Sequence, residues 1–211
     1  MLTPLQQRVL RIVSRLPEAE GFALAGGAAL IMQGTVHRNT NDLDLFIGHD
    51  DIEEDTSVTM VAAVERALGK AGLGNRREVV SDTFARLMVE TEAEECRIDL
   101  AVDVRIRPVD RKPDVALLSL EELAADKVLA LFGRAAARDF QDVAALRRHF
   151  SWTVLLELAN EKDAGFSVER FLEAVAAFGR LDAADFDSSR ADYEQLRTEV
   201  AEWPQQIRSQ R

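Results

Sequence analysis

The sequence predicts an α+β fold, in which a first lobe of mixed strands and helices (residues 1–113) precedes an all-α second lobe (residues 114–211). Short apolar runs typical of strands alternate with helical periods in the first half of the chain, whereas only helical periods follow residue 119. Charge and proline interrupt both patterns at Arg111-Lys112-Pro113-Asp114. Strands mixed with helices fit an α/β or an α+β first lobe, and a length of 211 residues suits one domain with a smaller lobe.

The first lobe contains three predicted helices and five predicted strands. Apolar residues at three- and four-residue steps, starting with Leu5, Val9 and Ile12, predict the first helix. Gly72 and Gly74 are stop signals after the third helix. The predicted helices span residues 5–16, 28–33 and 58–71, and the predicted strands span residues 22–25, 42–47, 78–80, 84–89 and 96–104.

The second lobe begins with a capping-box pattern, Ser119-Leu120-Glu121-Glu122, which predicts the start of a helix over residues 120–132. Further helical periods cover residues 139–150, 152–161, 168–178 and 191–203. Trp152, Trp203 and the phenylalanines of these helices are expected to form a core rather than a platform for bases. The polar tail, residues 204–211, is expected to fray.

Composition excludes several classes of protein. The excess of 37 Asp+Glu over 26 Lys+Arg, a net charge of −11, argues against a protein that coats nucleic acid, because such binding neutralises phosphates. The single cysteine, Cys96, cannot form an internal disulfide, and no Cys/His cluster offers a zinc site. The apolar runs fall short of the roughly 20 residues that span a bilayer. We therefore expect a cytoplasmic protein without a membrane segment.

The most informative motif is Asp42-Leu43-Asp44, within a run that alternates with period two. Side chains of a strand point alternately to its two faces, so both aspartates share one face while Leu43, Leu45 and Ile47 share the other. A bare pair of this kind is most often a solvated strand face. It also suits a divalent cation, since Mg²⁺ is held by one or two carboxylates together with substrate phosphates.

Two further features support a phosphate-handling site. Gly26-Gly27 follows a predicted strand and opens a helix, where backbone N–H groups can receive a phosphate. Asp99 or Asp103, on the strand predicted over residues 96–104, could lie beside the aspartate pair if the two strands are neighbours. Three carboxylates from two strands are what a two-metal phosphoryl-transfer site requires.

Residues 24–30 (LAGGAAL) and 38–46 (RNTNDLDLF) together resemble the opening motif of the AbiEii/AbiGii-type nucleotidyltransferases, GG-(T/A)-A-L, a helix and R-x-(S/T)-x-D-L-D. This family includes the MenT-like toxins and belongs to the DNA polymerase β-like superfamily. A second match lies in the helical half, where residues 123–127 (LAADK), Arg134 and residues 138–142 (RDFQD) resemble the family's K-x₆-R-x₃-RD-x-x-D segment. The resemblance implies a small mixed sheet flanked by helices, followed by the helical lobe.

The resemblance also implies a role for each matching residue. The implied metal ligands, for Mg²⁺ in two sites, are Asp42, Asp44 and Asp99, of which Asp99 could instead act as the base toward the acceptor. The implied nucleotide-binding residues are Gly26, Gly27, Arg38, Thr40, Lys127 and Arg134. Lys127 would reach the nucleotide phosphates from the second lobe. Asp139 or Asp142 would orient Lys127 or reach the substrate, and we expect Asp139 to be the catalytic one.

The activity implied by the resemblance is transfer of a nucleoside monophosphate from an NTP to an acceptor hydroxyl, with release of pyrophosphate. The implied acceptor is a tRNA 3′ end and the implied partner a cognate antitoxin, with neither DNA nor a membrane involved. A protein side chain or a small molecule is an alternative acceptor. A non-catalytic module of the same fold, which binds a nucleotide or a protein, is the alternative from another class.

The charges also suggest two binding surfaces. A local basic face for RNA could be formed by Arg134, Arg138, Arg147 and Arg148. The acidic run at residues 50–55 could meet a basic antitoxin.

Overall fold

A mixed β-sheet is the central element of the N-terminal half of the chain. Its strands are β1 (Phe22–Ala25), β2 (Asp42–Gly48), β3 (Gly74–Val80), β4 (Phe84–Glu90), β5 (Glu95–Asp103), β6 (Asp110–Arg111) and β7 (Ala116–Leu117). The computed structural model describes residues 1–52 and 56–210, and within them the seven strands have the order β3-β4-β5-β2-β1-β7-β6. β2 is parallel to β5 and β1 is parallel to β7, whereas the other neighbours are antiparallel.

Three helices pack against this sheet: α1 (Pro4–Val13), α2 (Gly26–Met32) and α3 (Thr56–Lys70). Alternation along β2 buries Leu43, Leu45 and Ile47 at 0%, 4% and 2% exposure, whereas Asp42 and Asp44 stay half-buried on the other face. The period-two prediction for this strand is therefore confirmed. Apolar burial on one face of the sheet supplies the core of this unit.

The helical half contains α4 (Leu120–Arg134), α5 (Ala137–Leu146), α6 (Trp152–Lys162), α7 (Val168–Ala176) and α8 (Arg190–Ser209). Trp152 and Trp203 are fully buried, with their ring centroids 5.1 Å apart in an edge-on arrangement. Phe140 lies 6.3 Å from Trp203 and 5.0 Å from Phe178. These aromatic residues form the core, as the sequence predicts, because large rings bury the most apolar surface.

Contacts divide the chain into two compact units, Met1–Ser119 and Leu120–Arg211. Residues 111–114, where the sequence suggests a boundary, connect β6 to β7, and Lys112 N–H donates to the Val115 carbonyl at 3.0 Å. The α+β prediction, with strands in the first part of the chain and helices in the second, is confirmed. No helix in the described ranges is long and apolar enough to cross a membrane.

The prediction of a frayed tail over residues 204–211 is wrong for residues 204–209, while Arg211 lies outside the described residues. Helix α8 continues to Ser209 with Pro204 inside it, and Ile207 is only 1% exposed. Trp203 and Ile207 lie four residues apart and are both buried, so they share one helix face. The Trp152 indole N–H also donates to Gln206 Oε1 at 3.1 Å. Tertiary burial thus offsets the unfavourable proline.

Candidate functional site

The carboxylates of the candidate site are brought together by the register of β2 and β5. Asp44 lies directly beside Asp99, and Asp42 lies beside Arg97. Paired residues of neighbouring strands point to the same face, so Asp42, Asp44 and Asp99 share one face of the sheet. Asp103 pairs instead with Gly48, about 13 Å farther along the strand at 3.3 Å per residue. Of the two candidates for a third carboxylate, Asp99 is the one beside the aspartate pair.

Two arginines pair with Asp42 and Asp99. Arg86, on β4, donates from Nε and Nη2 to the two oxygens of Asp99 at 2.7 and 2.8 Å. Arg97 donates from Nη2 to Asp42, and its Nε lies 3.5 Å from Asp99 Oδ2. The hydrogen bonds from Arg86 to Asp99 raise the pKa of Arg86 above its ordinary value. Sequence reasoning missed both residues as site members. Arg97 lies two residues from Asp99 on the same strand, which was a detectable signal, whereas the contact of Arg86 depends on the pairing of β4 with β5.

The glycine pair lies against the aspartate strand. Gly26 has φ +61°, and a Cβ added to it would lie 1.8 Å from Asp44 Oδ2. A Cβ on Gly27 would lie 2.8 Å from Arg38 Nη2 and 3.2 Å from Thr40 Oγ1. Only glycine fits at residue 26, since any side chain would displace the carboxylate and the left-handed conformation disfavours other residues. The glycines therefore let the backbone approach the polar groups of the site.

Thr40 links helix α1 to the aspartate strand. Its hydroxyl donates to Asp42 Oδ1 at 2.9 Å, and its carbonyl accepts a hydrogen bond from Gln6 Nε2 at 2.6 Å. Gln6 is only 1% exposed, and its Oε1 accepts from the Thr3 N–H as part of the capping box of α1. Sequence reasoning missed Gln6, although a polar residue beside Leu5 and Val9 on a buried helix face was a detectable signal.

Lys127 and its partner belong to the helical unit. The Lys127 ammonium lies 3.0 Å from Asp142 Oδ2, the Lys127 residue is 8% exposed, and Asp142 is fully buried. The expectation that Lys127 lies beside Asp139 or Asp142 thus resolves to Asp142. Burial of the two charged groups is thus accompanied by their pairing, as is usual for charges inside a protein.

Asp139 has a different set of partners. It is fully buried and accepts from Arg134 Nε and Nη2 at 2.9 and 2.8 Å and from the Ala136 N–H at 3.1 Å. Its carboxylate caps the start of α5 and fixes the guanidinium of Arg134, whose side chain is 64% exposed. Asp139, which the resemblance implies is the catalytic one, is thus buried, and the exposed group of this ion pair is the Arg134 guanidinium.

Cys96 lies in β5 next to Arg97 but offers no nucleophile. The thiol is buried, and burial, reinforced by the nearby charges of Asp42 and Glu94, raises its pKa to about 12. A thiol with this pKa stays protonated at neutral pH, and the thiolate is the reactive form.

Comparison with known proteins is consistent with this geometry. Residues 8–208 match the family described as "Nucleotidyl transferase AbiEii toxin, Type IV TA system". The match covers nearly the whole chain, so the protein belongs to the AbiEii nucleotidyltransferase toxin family and is an enzyme of the nucleotidyltransferase class. The resemblance seen in the sequence is confirmed. The alternative of a non-catalytic module is not supported by this assignment.

Two solved structures share the fold. A crystal structure of a nucleotidyltransferase candidate from H. pylori superposes with a TM-score of 0.60 at 22% identity, covering 98% of this chain and 92% of that one. The structure of JHP933 from Helicobacter pylori gives a TM-score of 0.56 at 18% identity, covering 98% and 91%. No curated protein matches the chain. At these identities the similarity shows the fold alone.

Proposed function

We propose that the protein transfers a nucleoside monophosphate from a nucleoside triphosphate to the 3′-terminal hydroxyl of a tRNA, in the cytoplasm and with Mg²⁺. The observation that carries this proposal is the parallel register that sets Asp44 beside Asp99, with Asp42 on the same sheet face. Grouped carboxylates repel one another, so the arrangement is stable only with cations among them. A nucleotidyltransferase uses such a cluster of carboxylates to hold the metal ions that offset the negative charge of a triphosphate.

The metal-binding residues in this proposal are Asp42, Asp44 and Asp99, with two Mg²⁺ ions in the complete site. The residues fit the ion, because they offer only oxygen donors, and the side chains of Asp42 and Asp99 are 15% and 9% exposed. Gly26 keeps the space that the Asp44 carboxylate fills. When bound, Mg²⁺ supplies positive charge that offsets the charge developing on the phosphates.

The triphosphate is received by the loop around the glycine pair. Backbone N–H groups of Gly26 and Gly27 face it, and Arg38 and Thr40, which lie against Gly27, steady the loop or bind a phosphate. We assign Lys127 and Arg134 to the phosphates as well. Asp142 and Asp139 are then positioning residues, since each fixes one of these cations.

The chemical step forms a bond between the acceptor oxygen and the α-phosphorus and breaks the bond from that phosphorus to the β-phosphate oxygen. Pyrophosphate leaves, and Asp99 accepts the proton of the acceptor hydroxyl or completes the second metal site. Arg86 holds Asp99 by both oxygens, which fixes its orientation for either role. A cognate antitoxin is the proposed partner, as the family description implies. Of the acidic run at residues 50–55 proposed to meet it, Glu53 to Asp55 lie outside the described residues.

Incubation with Mg²⁺, total RNA and each NTP in turn, radioactive at its α-phosphate, tests this function. We expect one NTP to label tRNA, with chelation of the metal abolishing the reaction. Asp42→Asn, Asp44→Asn and Asp99→Asn should each lose more than the roughly 10- to 100-fold that loss of an outer-shell metal group costs. Glu95→Gln is the matched control, since it removes an exposed carboxylate from the same strand, where Glu95 pairs with Glu90, and its labelling should stay within a few-fold of the unmodified protein.

Two outcomes would contradict parts of the proposal. Equal labelling by Asp42→Asn and the unmodified protein would exclude the carboxylate mechanism. Label that appears on protein or on a small molecule, and never on RNA, would keep the reaction and replace the acceptor.

A further inference from the structure

The candidate site already contains a cation at the carboxylates that we assign to the metal. We propose that Arg97 is an internal counter-ion that competes with the divalent metal for Asp42 and Asp99, so that metal binds weakly until nucleotide phosphates add their own ligands. This inference rests on the proposed function, because it takes the metal site to be Asp42, Asp44 and Asp99.

Arg97 lies on β5, and its side chain reaches a carboxylate of the neighbouring strand β2. Arg97 is the register partner of Asp42 across β2 and β5, and its Nη2 donates to Asp42 Oδ2. Its Nε lies 3.5 Å from Asp99 Oδ2, so one guanidinium bridges a residue of the aspartate pair and the third carboxylate. The side chain is 33% exposed, which leaves it room to move toward solvent.

Arg86 behaves differently from Arg97. Arg86 engages both oxygens of Asp99 in a two-pronged pair, the geometry in which a guanidinium binds a carboxylate most strongly. Arg97 has no such pairing, since its buried Nε makes no hydrogen bond within the described part of the chain. A buried donor without a hydrogen bond costs free energy, so the position of Arg97 is less favourable than one in which every donor is satisfied. Arg97 is thus the more easily displaced of the two cations.

Displacement of Arg97 has a cost that the metal must overcome. A divalent ion that binds Asp42 must first displace the guanidinium. The displaced guanidinium stays nearby and repels the ion, in surroundings less polar than water. Both effects weaken binding of the free metal. Phosphate oxygens of a nucleotide add ligands and negative charge, so they favour the metal and give the released Arg97 an anionic neighbour. Metal and nucleotide should therefore bind with positive cooperativity.

Titration of Mn²⁺ without nucleotide, followed by electron paramagnetic resonance, tests the competition. We expect Arg97→Met to bind Mn²⁺ roughly tenfold or more tightly than the unmodified protein, because a nearby positive charge and a competitor are both removed. Arg97→Lys, which keeps the charge, should bind close to the unmodified protein. Arg66→Met is the matched control, since it removes one positive charge from an exposed ion pair with Glu18, and its affinity should not change.

Thermal unfolding supplies a second measurement on the same proteins. In a chelator, Arg97→Met should unfold at a lower temperature than the unmodified protein, because repulsion within the carboxylate group grows, and added Mg²⁺ should restore more stability to this variant. Equal Mn²⁺ affinity in Arg97→Met and the unmodified protein, with Asp42→Asn binding worse than both, would overturn the competition while the metal site stands. Absence of Mn²⁺ binding in all variants, at any accessible concentration and with nucleotide present, would overturn both proposals.

Discussion

At the scale of single residues, backbone geometry sets the candidate site as much as its charges do. Gly26 and Gly34 both adopt positive φ, +61° and +74°, yet only Gly26 lies against a functional group. An added Cβ at Gly34 meets no atom within 4 Å, whereas at Gly26 it meets Asp44 Oδ2. A comparison of Gly26 with Gly34 therefore separates the effect of backbone strain from the effect of a clash with the site.

Gly26→Ala should therefore reduce both stability and activity, whereas Gly34→Ala should reduce stability alone. A left-handed conformation costs a non-glycine residue about 1–2 kcal/mol, so Gly34→Ala should unfold more easily by that amount, and Gly26→Ala by at least as much because of its added clash. The Cβ at residue 26 also pushes the Asp44 carboxylate away, so NTP labelling by this variant should fall far more than stability predicts. Chemical denaturation and initial labelling rates measure the two effects. An active Gly26→Ala protein would show that Asp44 need not stay in place.

At the scale of elements, a buried ion network joins two helices of the C-terminal unit. Lys162, on α6, donates to Glu122 at 2.6 Å and to Asp126, both on α4, and the Lys162 and Glu122 side chains are only 4% and 1% exposed. The ammonium neutralises carboxylates that the apolar surroundings would not otherwise tolerate. Charge pairing thus contributes to the packing of α4 on α6.

Lys162→Met should lower the free energy of unfolding by about 3–5 kcal/mol, because it removes the cation from buried carboxylates. Denaturation in urea measures the loss. The matched control, Lys162→Met combined with Glu122→Gln and Asp126→Asn, removes the negative charges too and should recover part of the stability. A triple variant no more stable than Lys162→Met would indicate that shape, rather than charge, governs this contact.

Elements also show how far the sequence could predict the fold. The strand at Phe22–Ala25 and the aspartate strand were predictable, since a short apolar run and a period-two alternation are local patterns. β3 was predicted only over residues 78–80, because it is an exposed edge strand whose first residues, Gly74 to Arg77, carry no apolar pattern. β6 and β7 have two residues each and no detectable period. Their existence depends on pairing with other strands.

At the scale of the whole molecule, little of the net charge of −11 lies at the candidate site. Asp42, Asp44 and Asp99 are three of the 37 acidic residues, and Arg86 and Arg97 pair with two of them. The proposed basic face is smaller than the sequence suggests, because the Arg147 guanidinium stacks over Trp152 at 4.7 Å and donates to the Phe150 carbonyl. Burial lowers the pKa of Arg147. Arg138 and Arg148 remain exposed in this region.

RNA binding should therefore involve few phosphate contacts. We expect Arg138→Ala to weaken tRNA binding and to reduce the slope of log K against log salt by about 0.7–0.9, the value of one phosphate contact. Fluorescence anisotropy across a salt series measures both. The control is Arg190→Ala, an exposed arginine paired with Glu194 on α8, which should leave the slope unchanged. An unchanged slope in Arg138→Ala would remove this residue from the RNA surface.

The sequence alone determined the family, the α+β order of elements, the shared face of Asp42 and Asp44, and the glycine pair beside them. Each of these depends on residues close together in the chain, where spacing and side-chain period carry the information. The tertiary structure decided that Asp99 rather than Asp103 lies beside the aspartate pair, that Asp142 rather than Asp139 holds Lys127, and that Arg86 and Arg97 pair with Asp99 and Asp42. The contacts of β5 with β2 depend on strand register over more than 50 residues of chain, and that of Lys127 with Asp142 depends on the packing of two helices, so no local pattern could have revealed them.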